Sequence, residues 1–517
     1  MKMLRIALAA LAALLALQAQ AATMGAEEAR HLLSRAGFSP TEPEVRQYAA
    51  LSRQEAVDRL LRGVRTEAQT PPPDWINEPI ERPAQMRQLS DEERKAYQQR
   101  LARRGFDLRA WWMSEMLATP TPLTERMTLF WHNHFVSSLQ KVRAPQLIYR
   151  QNVLLRRHAV GNFGELLHAV AKDPAMIIYL DAASNRKGAP NENFAREVME
   201  LFTLGEGNYT EQDIKEAARA YTGWSLERET GTFLWRPNFH DSGVKTVLGK
   251  TGNFDGDAVL DVLLAQPAAA EFIVKKLWME FVSTDTALPA NQAEIRRIAA
   301  AFRNSRYEIK VVLTGIFTSP RFYAPENYAN LVKSPVELVA GTVRQLGIRY
   351  SDPIPFVFVT AGLGQNLMAP PNVRGWPGGE TWINSTTLLA RKQFVERMFR
   401  VDEMREMAGG LPSMPVMAGA NMAPENMEGG MDKMRRNDFG KVQGGARTGQ
   451  EGRERFVRAA ASIQFDSQKY LNQFAGAPYG AIKRAILPGE PANPLGADLT
   501  QQQLLKNLLL DPMYQLK

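Results

Sequence analysis

The stretch Asn191–Trp224, NENFAREVMELFTLGEGNYTEQDIKEAARAYTGW, leaves the backbone little choice. Phe194, Val198, Leu201 and Phe202 recur at i, i+4, i+7 and i+8, a spacing that a helix gathers onto one face. Gly205 follows Leu204, where a helix end favours a residue that tolerates positive φ. Thr210 with Asp213 reads as a capping box that opens a second helix, with Ile214, Ala217, Ala218 and Tyr221 on its apolar face. Similar periodicity recurs along the chain. Thr41 with Glu44 opens a helix through Tyr48, and Arg53–Leu61, Asp91–Met116, Gln146–His158, Phe163–Val170, Glu271–Val282, Ala290–Phe302, Ile309–Phe317, Pro335–Leu346 and Gln501–Leu510 all read as helices. The expected fold is mainly α, a multi-helix globular domain.

Three stretches depart from that pattern. Thr232–Phe239 and Lys245–Leu248 are β-like and flank His240–Gly243, which predicts a small β-hairpin insertion. Phe356–Gly364 fits a helix or a buried strand. Residues 403–451 are rich in Met, Gly, Ala and Asn without periodicity, and are expected to be a disordered Met/Gly-rich insertion. The expected organisation is a signal peptide at 1–21, a helical domain over 22–402, the insertion at 403–451, and a helical part of the same domain at 452–517.

The leader carries the expectation about location. Met1–Arg5 is basic, Ile6–Leu17 is apolar, and Ala19-Gln20-Ala21 is a small-x-small cleavage site. There is no twin-arginine pair, so a Sec-type route to the periplasm or the extracellular space is expected. No later run offers about twenty apolar residues, so no transmembrane segment is expected once the leader is removed. The chain has no cysteine, which excludes disulfides, thiolate metal sites and a cysteine nucleophile. The formal charge is +8, with Lys2 and Arg5 in the leader, and acids and bases alternate almost everywhere. A nucleic-acid stripe is therefore not expected.

Several residues could carry chemistry. Asn193, Arg196, Glu197 and Glu200 fall at i, i+3, i+4 and i+7 behind Asn191, so they share a polar helical stripe. The stripe reads either as a solvated face of ion pairs or as the wall of a site in which paired carboxylates divide acid and base roles. His132 and His134 form an H-x-H pair, but the run Met127, Phe130, Trp131, His134 is helical. Residues two apart on a helix lie about 200° apart around the axis, so the pair shares a metal only if the helix has ended by Asn133. The expectation is a satisfied core His134 and a separate polar role for His132, on the face of Glu125 and Thr128. A divalent metal is a possible cofactor, with no ligands assigned. His240 beside Asp241 reads as a base with its neighbour or as a turn. The loop Pro370–Gly379 offers Arg374 as an anion clamp and Trp376 as a stacking platform, or serves as rigid punctuation. Three M-x-x-M pairs, Met404/Met407, Met414/Met417 and Met431/Met434, could take Cu(I).

Four of these runs occur in one order: His31–Phe38 (HLLSRAGF), Trp131–Phe135 (WHNHF), Asn191–Trp224, and Asn372–Gly379 (NVRGWPGG). Together they resemble the bacterial DUF 1800 family, over nearly the whole chain from about residue 26. The resemblance implies a largely α-helical, often exported protein. Such proteins are often encoded beside an exported, sulfatase- or phosphatase-like DUF 1501 protein, which suggests a partner. The resemblance brings no catalytic residue set.

The candidate catalytic residues are therefore Glu197, Glu200, Arg196, His132 and His240, and the candidate ligand-binding residues are Asn191, Asn193, Arg374 and Trp376. Three functions follow: an enzyme, hydrolase or lyase, acting on an extracellular or envelope polymer; a non-catalytic binding or maturation partner; or copper binding through the methionine pairs. Convergence of Glu197, Glu200, Arg196 and His132 in one concave pocket favours the enzyme, and a solvated stripe favours the partner.

Overall fold

In the computed structural model the described residues are 23–80, 89–227, 230–407, 446–496 and 498–517, with only the backbone described for 401–407 and 446–451. The expected leader lies outside them, as do Met414, Met417, Met431 and Met434 and the side chains of Met404 and Met407.

Capping boxes form at Thr41/Glu44 and Thr210/Asp213, and also at Ser52/Glu55, Ser90/Glu93 and Ser334/Glu337. In each, the serine or threonine takes an otherwise unpaired amide of the first turn and the acid returns to the cap amide. Phe356–Gly364 resolves as the helix Ile354–Gly362. Helix Ser385–Met407 and helix Ala446–Ala461 extend into both ends of the stretch expected to be disordered, and residues 408–445 lie outside the description.

The β-like region differs from expectation. It forms two separate hairpins rather than one. β1 (Trp224–Leu226) pairs antiparallel with β2 (Phe233–Trp235), Trp224 opposite Trp235. β3 (Lys245–Val247) pairs with β4 (Lys250–Gly252). The second hairpin closes across Leu248–Gly249, where both residues take positive φ as a tight hairpin turn requires.

Two apolar cores account for the interior. The first gathers Trp131, Phe163, Phe194, Trp224, Trp278 and Phe317; the second gathers Trp112, Leu129, Val339, Phe399, Leu505 and Tyr514. The helix Pro122–His134 belongs to both. Eleven of its residues are buried, because it gives Met127, Phe130 and Trp131 to the first core and Leu129 to the second. A helix enclosed on all sides must pair its charges internally. Glu125 accepts Trp112 Nε1 at 2.8 Å and both Arg156 Nε and Nη2, at 2.6 and 2.8 Å. Arg126 pairs with Glu280 of the helix Pro267–Phe281 in the first core and with Glu337 of the helix Pro335–Leu346 in the second, at 2.5 and 2.6 Å. A line of buried charge thus runs along the seam between the cores. Among the described residues no helix is long and apolar enough to cross a membrane.

Candidate functional site

The polar stripe does not keep a single helical phase. Glu192–Glu197 is α-helical, but Val198–Thr203 continues as a wider π-helix, and Arg196 and Glu200 take different partners. Arg196 makes a bidentate pair with Glu211, both contacts 2.7 Å, and touches Glu192 at 3.4 Å. Asn191 caps the helix by accepting the Asn193 amide at 3.0 Å, and Asn193 Nδ2 donates to the Leu180 carbonyl at 3.0 Å. Glu200 accepts Tyr209 Oη at 2.9 Å and Arg374 Nη2 at 2.8 Å, and Arg374 also reaches Glu206 at 3.0 Å. Glu197 is half-buried between these pairs. Burial raises its carboxyl pKa and the Glu200 charge adds to that, while Arg374 and Arg196 oppose the rise. The structure brings Glu197, Glu200 and Arg374 together and turns Arg196, Asn191 and Asn193 to local pairings. His240 lies apart, its Nδ1 3.0 Å from the Thr222 carbonyl and its ring beside Trp235. Asp241 does not orient it: that carboxylate accepts Arg219, whose hydrogen bond pulls its pKa down to about 2.

His132 and His134 both sit inside the helix, whose last residue is His134. His134 Nε2 meets the Phe202 carbonyl at 3.1 Å. His132 lies between Trp112 and Trp376, with ring centroids 5.4 and 5.8 Å away, and its Nε2 is buried without a protein partner. Burial holds the His132 imidazole neutral, with a pKa near 4. Among the described residues no group of three or more His, Cys, Asp or Glu side chains is arranged to hold a metal ion.

Asn133, between the two histidines, fixes the aromatic loop. Its Oδ1 accepts the Trp376 amide at 2.7 Å and its Nδ2 donates to the Trp376 carbonyl at 3.3 Å. The approach requires Gly375, which sits at φ +82°; a Cβ there would lie 2.3 Å from Asn133 Oδ1 and 2.7 Å from its carbonyl oxygen. Gly375→Ala is expected to cost at least about 1–2 kcal/mol from backbone conformation alone, the clash adding to it. Urea unfolding checks this; an unchanged midpoint would mean the loop is not clamped.

Beneath the clamped loop is a cavity of about 90 Å³, roomy enough for a handful of water-sized groups. Trp376 and Trp382 line it on the loop side; Arg126, Glu280, Glu337 and Lys517 line it on the seam side. Glu337 accepts Lys517 Nζ as well as Arg126. Burial opposes its ionisation, but the two cations outweigh that and hold the carboxyl below its ordinary range. Gln365, also in the lining, accepts the Val336 amide through Oε1 at 2.9 Å, which leaves its amide NH₂ as a donor. Of the residues expected from sequence, only Trp376 lines this cavity; Glu197, Glu200 and Arg374 do not.

A family model described as "Protein of unknown function (DUF1800)" matches residues 31–516. The chain belongs to the DUF1800 family. No curated protein and no solved structure matches it. In this DUF1800 protein the seam residues escaped sequence reading because Arg126, Glu280, Glu337 and Lys517 come from four distant segments. A signal was present nonetheless. Arg126, next to Glu125, and Glu337 sit among apolar residues in LTERMTLFW and SPVELVAG, and the second opens with a Ser334-x-x-Glu337 capping pattern.

Proposed function

We propose that this DUF1800 protein is an exported ligand-binding protein whose ligand enters the cavity under the Trp376–Trp382 loop. The cavity itself carries the reading. Its two carboxylates are both engaged by cations, so it offers donors and indole faces, which recognise a ligand, rather than a free base or nucleophile. The polar stripe supports the same reading, since Arg196, Glu200 and Arg374 spend their charge on ion pairs and Arg374 is 63% exposed. The leader supports export to the periplasm or beyond. A hydrolase or lyase acting on an envelope polymer would instead rest on Glu197, the one stripe carboxylate with a raised pKa and no strong cationic partner.

Native mass spectrometry of the protein purified from its export compartment tests the proposal. A bound small molecule is expected, with at least tenfold lower affinity in Trp382→Ala, the effect of losing one well-packed aromatic contact of about 1.4 kcal/mol or more. Full retention of the ligand in that variant would place binding elsewhere. A Glu197→Gln variant that retained its ligand but failed to turn it over would favour the enzyme.

A second reading has its own support. The rim formed by exposed Arg374 and Glu206 beside part-buried Glu200 is suited to docking an exported DUF 1501-type partner. Loss of co-purification in Arg374→Glu with the cavity still occupied would favour it.

A further inference from the structure

The side chains of the seam hold more buried positive charge than its carboxylate side chains cancel. Arg35, Arg126, Lys333, Arg391 and Lys517 are all buried, and the acids among them are buried Glu337 and half-buried Glu280. Arg126 and Lys517 share those acids. The other three cations meet neutral acceptors. Arg35 donates to the carbonyls of Phe281, Val282 and Asn327 and to Asn330 Oδ1. Arg391 donates to Gln515 Oε1 and the Lys333 carbonyl, at 3.1 and 3.0 Å. Lys333 donates to the Tyr514 carbonyl at 2.8 Å and lies 4.0 Å over its ring.

Neutral acceptors satisfy N–H groups but leave the charge in place, and a low-dielectric interior makes residual charge costly. Proton affinities register that cost. Burial, opposed by Glu337 and aided by Lys517 and Arg391, lowers Lys333 to about 7. Burial and Arg126, with Arg35 adding and Glu337 and Glu280 opposing, lower Lys517 to about 8. Two of the five cations, Arg126 and Lys517, open onto the cavity, and Arg126 Nε is buried without a partner.

We propose that the cavity takes an oxyanion, the carboxylate, sulfate or phosphate group of its ligand, held by Arg126, Lys517 and the Gln365 amide, with Glu337 as the fixed counter-ion that keeps the empty site folded. The inference rests on the ligand-binding reading and adds the charge of what is bound. Glu337 and Glu280 face the same space, so an anion is accepted only while both remain paired with their cations. The bound anion draws protons onto Lys333 and Lys517, and binding therefore takes up protons near neutral pH.

Calorimetric titration of the full chain with sodium sulfate, inorganic phosphate and acetate, against chloride at matched ionic strength, tests this. At least one oxyanion should bind where chloride does not, and the one that binds best identifies the source group. Affinity should fall at least about tenfold between pH 6.5 and 9.5, as the two lysines lose their protons, and by a similar factor in Lys517→Met. Buffers of different ionisation enthalpy should report proton uptake at pH 7.5. Gln365→Ala leaves every ion pair in place and should weaken the anion as well, so the inference stays testable if Lys517→Met does not fold. No preference for any oxyanion over chloride, while Trp382→Ala still releases the ligand found by mass spectrometry, overturns the anion inference alone. Failure of both overturns the cavity as a binding site.

Discussion

Glutamine at Glu337 is expected to destabilise the folded protein by about 3–5 kcal/mol, the usual cost of removing one partner from a buried ion pair. The side chain is 6% exposed and accepts both Arg126 and Lys517. Without its charge, those two cations and Lys333, Arg35 and Arg391 would have only half-buried Glu280 to answer them. Glutamine keeps the volume and the acceptor oxygen, so the loss measures charge rather than packing. The capping box at Ser334 loses strength too, since Glu337 Oε2 accepts the Ser334 amide at 2.8 Å. Urea unfolding of wild type and variant gives the number. A loss below about 1 kcal/mol would mean that the seam charges are less confined than their burial indicates. Added sulfate should restore part of the stability if an oxyanion enters the cavity.

Phenylalanine at His132 is expected to remove about 3 kcal/mol of acid sensitivity. The ordinary imidazole pKa of 6.5 falls to about 4 in the folded state because burial disfavours the charged form. Above pH 6.5 the ring is neutral in both states and its contribution to stability is complete. As pH falls from 6.5 toward 4 the unfolded chain takes a proton that the folded chain refuses, and stability is lost at about 1.4 kcal/mol per unit. His31 behaves alike down to about pH 3, through burial and then Arg35. Asp173 acts oppositely: burial lifts its carboxyl to about 7, so its contribution is full below the ordinary 3.8 and is lost as pH rises through 7. The readout is therefore the difference between wild type and His132→Phe, unfolded in urea at pH 7 and at pH 4, in which the other groups cancel. Curves that stay parallel across that window would show that His132 takes up its proton as readily in the folded state as in the unfolded one.

Much of the fold could be read from local chemistry. Thr41/Glu44 and Thr210/Asp213 announced helix starts because capping is settled within four residues. Gly205 announced a helix end and takes φ +78°. The reading failed where geometry is set at longer range. A single α-helical period does not foresee the π-helix at Val198–Thr203, and Leu201, expected on the apolar face, is only half-buried. The β-like runs were correct as strands and wrong as partners, because each pairs with a neighbour closer in sequence than the other run. At the site, Trp376 was legible from its rigid loop. Arg126, Glu280, Glu337 and Lys517 were not, because only tertiary packing brings a charge in one apolar helix against a charge in another.

The helix Pro122–His134 has a consequence for how the chain can be divided. It supplies an apolar face to each core and the cation that joins them, so neither core closes without it. Removing that helix would take Met127, Phe130 and Trp131 from the first core and Leu129 from the second, and would leave Glu280 and Glu337 without Arg126. Two interiors with one common wall are expected to resist separation, for the experimenter seeking a smaller soluble piece and for recombination seeking a place to cross over.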